Sequence, residues 1–142
     1  MRTRIGWFLA VAVCVSLGSC SPKGPVRQKT YPVTGKVTVD GKPAAQVAVV
    51  ANSAKQADPK YPILPQGITE DDGSFKLYSY EPGDGVPPGQ YVLTFTWQDR
   101  KGFVAQGPDK LKNRYADPAK STFKLNVEKG PVDLGTIELR TQ

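Results

Sequence analysis

Apolar residues in this chain recur at every second position, and no stretch of the folded part carries them convincingly at helical spacing. Val33, Gly35, Val37 and Val39 alternate with Thr34, Lys36, Thr38 and Asp40, and Phe123, Leu125 and Val127 alternate with Lys124 and Asn126. A period of two puts one apolar face on each segment and reads as a half-buried strand. Residues 91–97 (Tyr-Val-Leu-Thr-Phe-Thr-Trp) give the strongest strand signal, every member being β-branched, aromatic or leucine, with Tyr91, Leu93, Phe95 and Trp97 on one side. The 14 glycines and 13 prolines supply turns between such segments. Asp40-Gly41 is a tight turn, after which residues 46–51 read as the returning strand. Residues 52–66 form a proline-punctuated loop, and 67–69 a short strand. Glu70-Asp71-Asp72-Gly73 turns into 74–78, where Phe75 and Leu77 share a face, and 81–89 hold too many prolines and glycines for any regular element. Residues 98–121 read as one long loop and 122–127 as a strand. The last strand, 132–139, changes phase between Leu134 and Ile137, which predicts a β-bulge at Gly135. Seven short strands with turn chemistry between them predict an all-β, seven-stranded antiparallel β-sandwich with one core.

The segment ahead of those strands has a different character. Arg2 and Arg4 precede the apolar residues 5–17. Thirteen residues of helix would rise roughly 20 Å, short of the ~30 Å hydrocarbon core of a bilayer. A basic head, a short apolar run and small residues at its end have the layout of a secretory signal. Leu17-Gly18-Ser19-Cys20 resembles the bacterial lipobox, a hydrophobic residue and two small ones before an obligatory cysteine. That resemblance implies transfer of diacylglycerol to the Cys20 thiol and cleavage after Ser19, so that residues 1–19 are the signal peptide and Cys20 becomes an acylated N-terminus. Cys14 would leave with the signal, and no intrachain disulfide is then possible. Losing Arg2 and Arg4 takes the formal charge from +6 to +4, too mild for a nucleic-acid partner in an exported chain. Residues 20–31, with Lys23, Arg27, Lys29, two prolines and a glycine, read as a lipidated N-terminus and flexible linker. The expected location is the bacterial cell envelope, on the outer or cytoplasmic membrane.

The ordered set Val33-x-Gly35-x-Val37-x-x-Asp40-Gly41-Lys42-Pro43, then Thr69-Glu70-Asp71-Asp72-Gly73-x-Phe75, then Pro88-Gly89-x-Tyr91, resembles carboxypeptidase regulatory-like domains, also called transthyretin-like or prealbumin-like. Small bacterial lipoproteins made of one such domain also carry a stretch similar to Arg114-Tyr115-x-Asp117-Pro118-x-x-Ser121. The resemblance covers residues 32–142 and implies a non-catalytic scaffold or binding role with no cofactor.

Zero histidines exclude a Ser-His-Asp triad, a Cys-His dyad and His-liganded zinc or iron. They also separate the chain from hydroxyisourate hydrolases and intradiol dioxygenases, enzymes of similar fold that depend on histidine. Glu70, Asp71 and Asp72, with Glu81 and Asp84 in the next loop, are oxygen donors of the kind calcium takes, but Asp-Asp-Gly is also ordinary turn chemistry, and that is the reading adopted. A Lys36–Asn126 isopeptide link would need both side chains buried, whereas their alternation with apolar neighbours turns them to solvent. The stronger clue is the loop 98–121, which combines Arg100, Lys101, Lys110, Lys112, Arg114 and Lys120 with Phe103 and Tyr115. Cations beside aromatics suit an acidic envelope protein or polysaccharide. Arg100, Lys101, Phe103, Arg114 and Tyr115 are therefore the candidate contact residues, with Phe103 and Tyr115 also able to pin the loop to the core. The expected function is a structural or protein-interaction module, not an enzyme, with a carbohydrate-binding module as the alternative.

Overall fold

The structure is a computed structural model that describes residues 27–55, 60–102 and 104–142. The signal segment, Cys20 and Phe103 lie outside the described residues. Ten strand segments and no helix occur among the described residues: β1 (Val33–Val39), β2 (Lys42–Pro43), β3 (Val47–Ser53), β4 (Gln66–Ile68), β5 (Ser74–Leu77), β6 (Gly89–Trp97), β7 (Asp99–Lys101), β8 (Val104–Gln106), β9 (Lys124–Val127) and β10 (Val132–Leu139). In one sheet β1 lies between β10 and the pair β5 and β2; the other runs β4-β3-β6-β9, and β7 and β8 form a separate hairpin. The all-β expectation holds.

Two parts of the expected topology need correcting. Pairing is not antiparallel throughout, because β1 and β10 run parallel from Val33↔Val132 to Val39↔Leu139. The strand after the Asp40-Gly41 turn is also shorter than expected. Asp40 and Gly41 do take positive φ (51° and 79°), but only Lys42 and Pro43 pair back onto β1. The chain then crosses to the other sheet, and β3, the expected returning strand, pairs with β6 from Val47↔Trp97 to Ser53↔Tyr91. Thr69 pins that crossover from a buried position. Its hydroxyl donates to the Ala44 carbonyl (2.6 Å) and accepts from the Val47 N–H (2.9 Å), while its carbonyl accepts from the Gln46 N–H (2.9 Å). Leaving such groups unpaired inside would cost about 1–3 kcal/mol each, so the crossover is specified by polar geometry as well as packing.

The core draws on both sheets. Val33 and Val37 of β1, Phe75 and Leu77 of β5, Val49 of β3, and Leu93 and Phe95 of β6 are all essentially buried. Gly35 sits on the inner face because the Phe75 ring occupies the place a Cβ would take, 2.8 Å from its Cζ. The bulge expected at Gly135 is present. Thr34 pairs with Asp133 and Lys36 with Thr136, so Leu134 and Gly135 together oppose Gly35. Gly135 has φ 63°, and its N–H is held by the Asp133 carboxylate at 2.9 Å. Two-against-one pairing is what lets Leu134 and Ile137 both belong to one strand despite the phase change.

On one side the two sheets are tied by backbone hydrogen bonds exchanged between Gln66 and Tyr78 (3.0 and 2.9 Å). The opposite side is bordered by β9 and β10. Residues 27–31, at the end of the expected linker, are bonded to the body. Tyr31 exchanges two backbone bonds with Val86 (2.9 Å each), the Gln28 N–H donates to the Tyr80 hydroxyl (3.0 Å), and Arg27 pairs with Glu81 at 2.6 Å. The chain thus enters the fold at the end where β1 and β10 begin, termed the Tyr31 end. The opposite end is the Trp97 end.

Candidate functional site

The long segment 98–121 was read as one loop; it divides into two parts with different duties. Residues 98–107 make the β7–β8 hairpin, in register Asp99↔Gln106, Arg100↔Ala105 and Lys101↔Val104. It leaves β6 at the Trp97 end, and Arg100 turns toward the outer face of β3 and β4. Lys101 is exposed, and Val104 is 64% exposed, the most of any large apolar side chain among the described residues. Lys110 reaches back to the hairpin, pairing with Asp99 at 2.5 Å while its ammonium sits 5.1 Å from the Trp97 ring centroid.

Residues 109–123 instead run beside β6 and satisfy the backbone that β9 is too short to reach. The N–H groups of Leu93 and Phe95 donate to the carbonyls of Phe123 (2.8 Å) and Tyr115 (2.9 Å), and the Trp97 carbonyl accepts from the Lys110 N–H (2.8 Å). Ser121 Oγ donates to the Leu93 carbonyl at 2.6 Å. Asp109 organises the first turn: its carboxylate accepts from the N–H groups of Trp97 (2.7 Å), Leu111 (3.1 Å) and Asn113 (3.0 Å). Leu111, fully buried, plugs the Trp97 end of the core. Asp109→Ala would strip the acceptor from three N–H groups at once, and should cost about 2 kcal/mol in chemical denaturation. A cost below about 0.5 kcal/mol would mean that the 109–123 run is not braced in this way.

The candidate contact residues therefore fall in separate places. Arg100 and Lys101 are on β7; Lys101 faces solvent, while Arg100 is half-buried and lines a cleft of about 290 Å³ with Ala48, Val50, Gln66, Ile68 and Tyr78. Arg114 is exposed, and its guanidinium donates to the Gln142 carbonyl. Tyr115 is half-buried against the core. Its ring lies 6.0 Å from that of Phe123, which packs edge-on to Phe95 at 5.2 Å, and its hydroxyl accepts from the Arg140 N–H (3.1 Å). Tyr115 thus fastens the run to the sheet. The roles of Asp109, Leu111 and Thr69 are not legible in the sequence; Gly107-Pro108-Asp109 is a turn signal that marks the first of them, but Thr69, though part of the Thr69–Phe75 motif, carries no mark of a pin.

Asp84 and Asp72 serve as loop braces. Asp84 accepts from the N–H groups of Ser79, Tyr80 and Glu81 (2.8, 3.0 and 3.2 Å). Asp72 accepts from Ser74 at 2.8 Å, which holds its carboxyl below the usual range, and the Gly73 N–H donates to the Glu70 carbonyl at 2.9 Å. The Thr141 hydroxyl, donating at 2.7 Å, likewise lowers the pKa of Asp40 and clasps the C-terminal residues to the β1–β2 turn. Lys36 is on β1 and Asn126 on β9, in different sheets. An open cavity of about 440 Å³ near the Tyr31 end is lined by Gln28, Ser53, Lys55, Ile63, Pro87 and Tyr91. Tyr91 has its pKa raised by burial, and its hydroxyl donates to the Pro87 carbonyl at 2.9 Å.

No family model and no curated protein matches the chain. Among solved structures it is similar to a 9R-lipoxygenase from Cyanothece PCC8801, with 13% identity and a TM-score of 0.40. The aligned part is 78% of this chain and only 16% of the lipoxygenase, and a likeness that distant carries no argument about activity.

Proposed function

We propose that the chain is an exported lipoprotein, anchored to a membrane of the cell envelope through acyl groups on Cys20, whose transthyretin-like β-sandwich is a non-catalytic module that binds an acidic envelope protein. The observation that carries this reading is the polarity of the fold. The chain enters at the Tyr31 end, while the β7–β8 hairpin leaves β6 at the Trp97 end. Between them runs β6 with nine residues, about 30 Å at 3.4 Å per residue. An anchor at one end and a hairpin that starts at the other suit a tethered module whose contact residues stand away from its membrane. Arg100, Lys101 and Arg114 steer the partner, and exposed Val104 supplies contact area, with Phe103, outside the described residues, as the sequence-based candidate beside it. Tyr115 contributes by holding Arg114 against the sheet.

The anchoring half is tested by mass spectrometry of the native protein, which should show acyl groups on an N-terminal Cys20. Cys20→Ala should leave the domain unanchored or as an unprocessed precursor. An unacylated N-terminus elsewhere overturns it. The binding half is tested by replacing Arg100, Lys101 and Arg114 with Ser. For exposed Lys101 and Arg114 stability should change by no more than about 1 kcal/mol, while half-buried Arg100 adds the loss of its packing in the cleft, which a single Arg100→Ser variant measures. Capture of crosslinked envelope proteins should weaken and lose much of its salt dependence. Retained capture per folded molecule makes the hairpin structural, and binding on a glycan array instead would favour a carbohydrate-binding module.

A further inference from the structure

The Tyr31 end carries an exposed apolar and cationic surface that the partner-binding reading does not use. The loop between β3 and β4 leaves β3 at Ser53 and returns where the Ala51 N–H donates to the Pro65 carbonyl (2.8 Å), so it extends beyond the sheet on the Tyr31 side. Ile63 from this loop lines the same cavity as Gln28 and Pro87, which puts the loop beside the point where the chain enters. Among the described residues, the large apolar side chains most open to water are Tyr61 (40%), Leu64 (51%), Ile68 (38%) and Val104 (64%), and Tyr61 and Leu64 belong to this loop. Lys60 holds its ammonium 5.4 Å from the Tyr61 ring centroid, and Lys29 does the same with Tyr31 at 5.3 Å. Lys55 is exposed nearby. Among the described residues of this end, Glu81 pairs with Arg27, Asp84 braces three backbone N–H groups, and Glu128 accepts from Asn126; Asp58 of the loop lies outside the described residues.

Tyrosine and leucine flanked by lysines have the chemistry of a membrane interface, the rings and aliphatic groups entering the headgroup boundary while the ammonium groups stay among the phosphates. We propose that this end is a membrane-docking face. Tyr61 and Leu64 enter the outer layer of the bilayer, and Lys29, Lys55 and Lys60 bind anionic headgroups. The proposal rests on the anchored reading for its reach. Arg27 lies seven positions after Cys20, and an extended chain spans at most about 3.5 Å per residue, so the docked end stays within about 25 Å of the lipid. Docking would hold the module upright, with the Trp97 end, where the β7–β8 hairpin leaves β6, away from the surface.

The test uses the full chain in a Cys14→Ser background, with an environment-sensitive NBD fluorophore on Leu64→Cys or, separately, on Val104→Cys. Both positions are exposed, so labelling leaves the core intact. The protein is combined with phosphatidylcholine vesicles with or without phosphatidylglycerol. Emission from position 64 should shift to the blue and brighten, most with phosphatidylglycerol present, while emission from position 104 stays that of a label in water. Lys29→Ser and Lys55→Ser should each weaken the phosphatidylglycerol effect, by up to about fivefold. No shift at position 64 in protein whose acyl mass has been verified overturns the docking face and leaves the anchor standing. Equal shifts at both positions overturn the upright orientation. Because the two singly labelled proteins carry the same anchor, the difference between them does not depend on how the chain is held. A shift at position 64 in unacylated protein that also carries Cys20→Ser, so that position 64 holds the single thiol, keeps the docking face while the anchor fails.

Discussion

Replacing Phe95 by alanine should cost about 3–5 kcal/mol of folding stability, the range for truncating a buried phenylalanine. Phe95 has no exposed surface, pairs with Val49 on β3 and receives the edge of the Phe123 ring at 5.2 Å. Removing the ring takes away apolar area buried between the sheets and also the support for Phe123 and Tyr115, through which the 109–123 run lies on β6. Single domains have only about 5–15 kcal/mol in reserve, so the variant should be marginal or unfolded at room temperature. Where it still folds, the thermal midpoint should fall by on the order of 15 °C or more. Val104→Ala is the control: a hairpin side chain open to solvent should change stability by no more than about 0.5 kcal/mol. Similar losses at the two positions would contradict the core described here.

Gly73→Ala should be nearly as damaging although it adds only a methyl group. Gly73 has φ 81°, a conformation that costs an L residue about 1–2 kcal/mol. A Cβ there would stand 2.3 Å from the Val37 carbonyl oxygen, a backbone atom of β1 that cannot rotate aside. The clash also falls where the Val37 N–H donates to the Gly73 carbonyl at 2.8 Å, a bond that joins the turn to β1. Strain and overpacking together come to about 2–5 kcal/mol. Urea denaturation read by tryptophan fluorescence measures it. Asp71→Ala, two residues away and exposed, should cost far less. Comparable midpoints for the two variants would mean that the turn does not press on β1.

The sequence by itself determined what depends on neighbouring residues. Alternation marked β1, β6, β9 and β10 and the faces they bury, because successive side chains on a strand point to opposite sides whatever the strand pairs with. Asp40-Gly41 and Glu70-Asp71-Asp72-Gly73 announced their turns because few residue pairs accept positive φ, and the phase change between Leu134 and Ile137 announced the bulge. The absence of histidine narrowed the chemistry before any coordinates. Only the tertiary structure decided which strands pair. A period of two specifies a face and not a neighbour, so the parallel β1–β10 ladder and the passage of β3 into the other sheet left no local mark. The division of 98–121 was hidden for the same reason. Whether Tyr115 faces a partner or fastens a loop depends on where Phe123 and Arg140 stand, and those positions are set by the strands around them. Local conformation follows from steric limits within a few residues; pairing and burial follow from contacts between distant parts of the chain, and those are settled only when the two sheets close on one core.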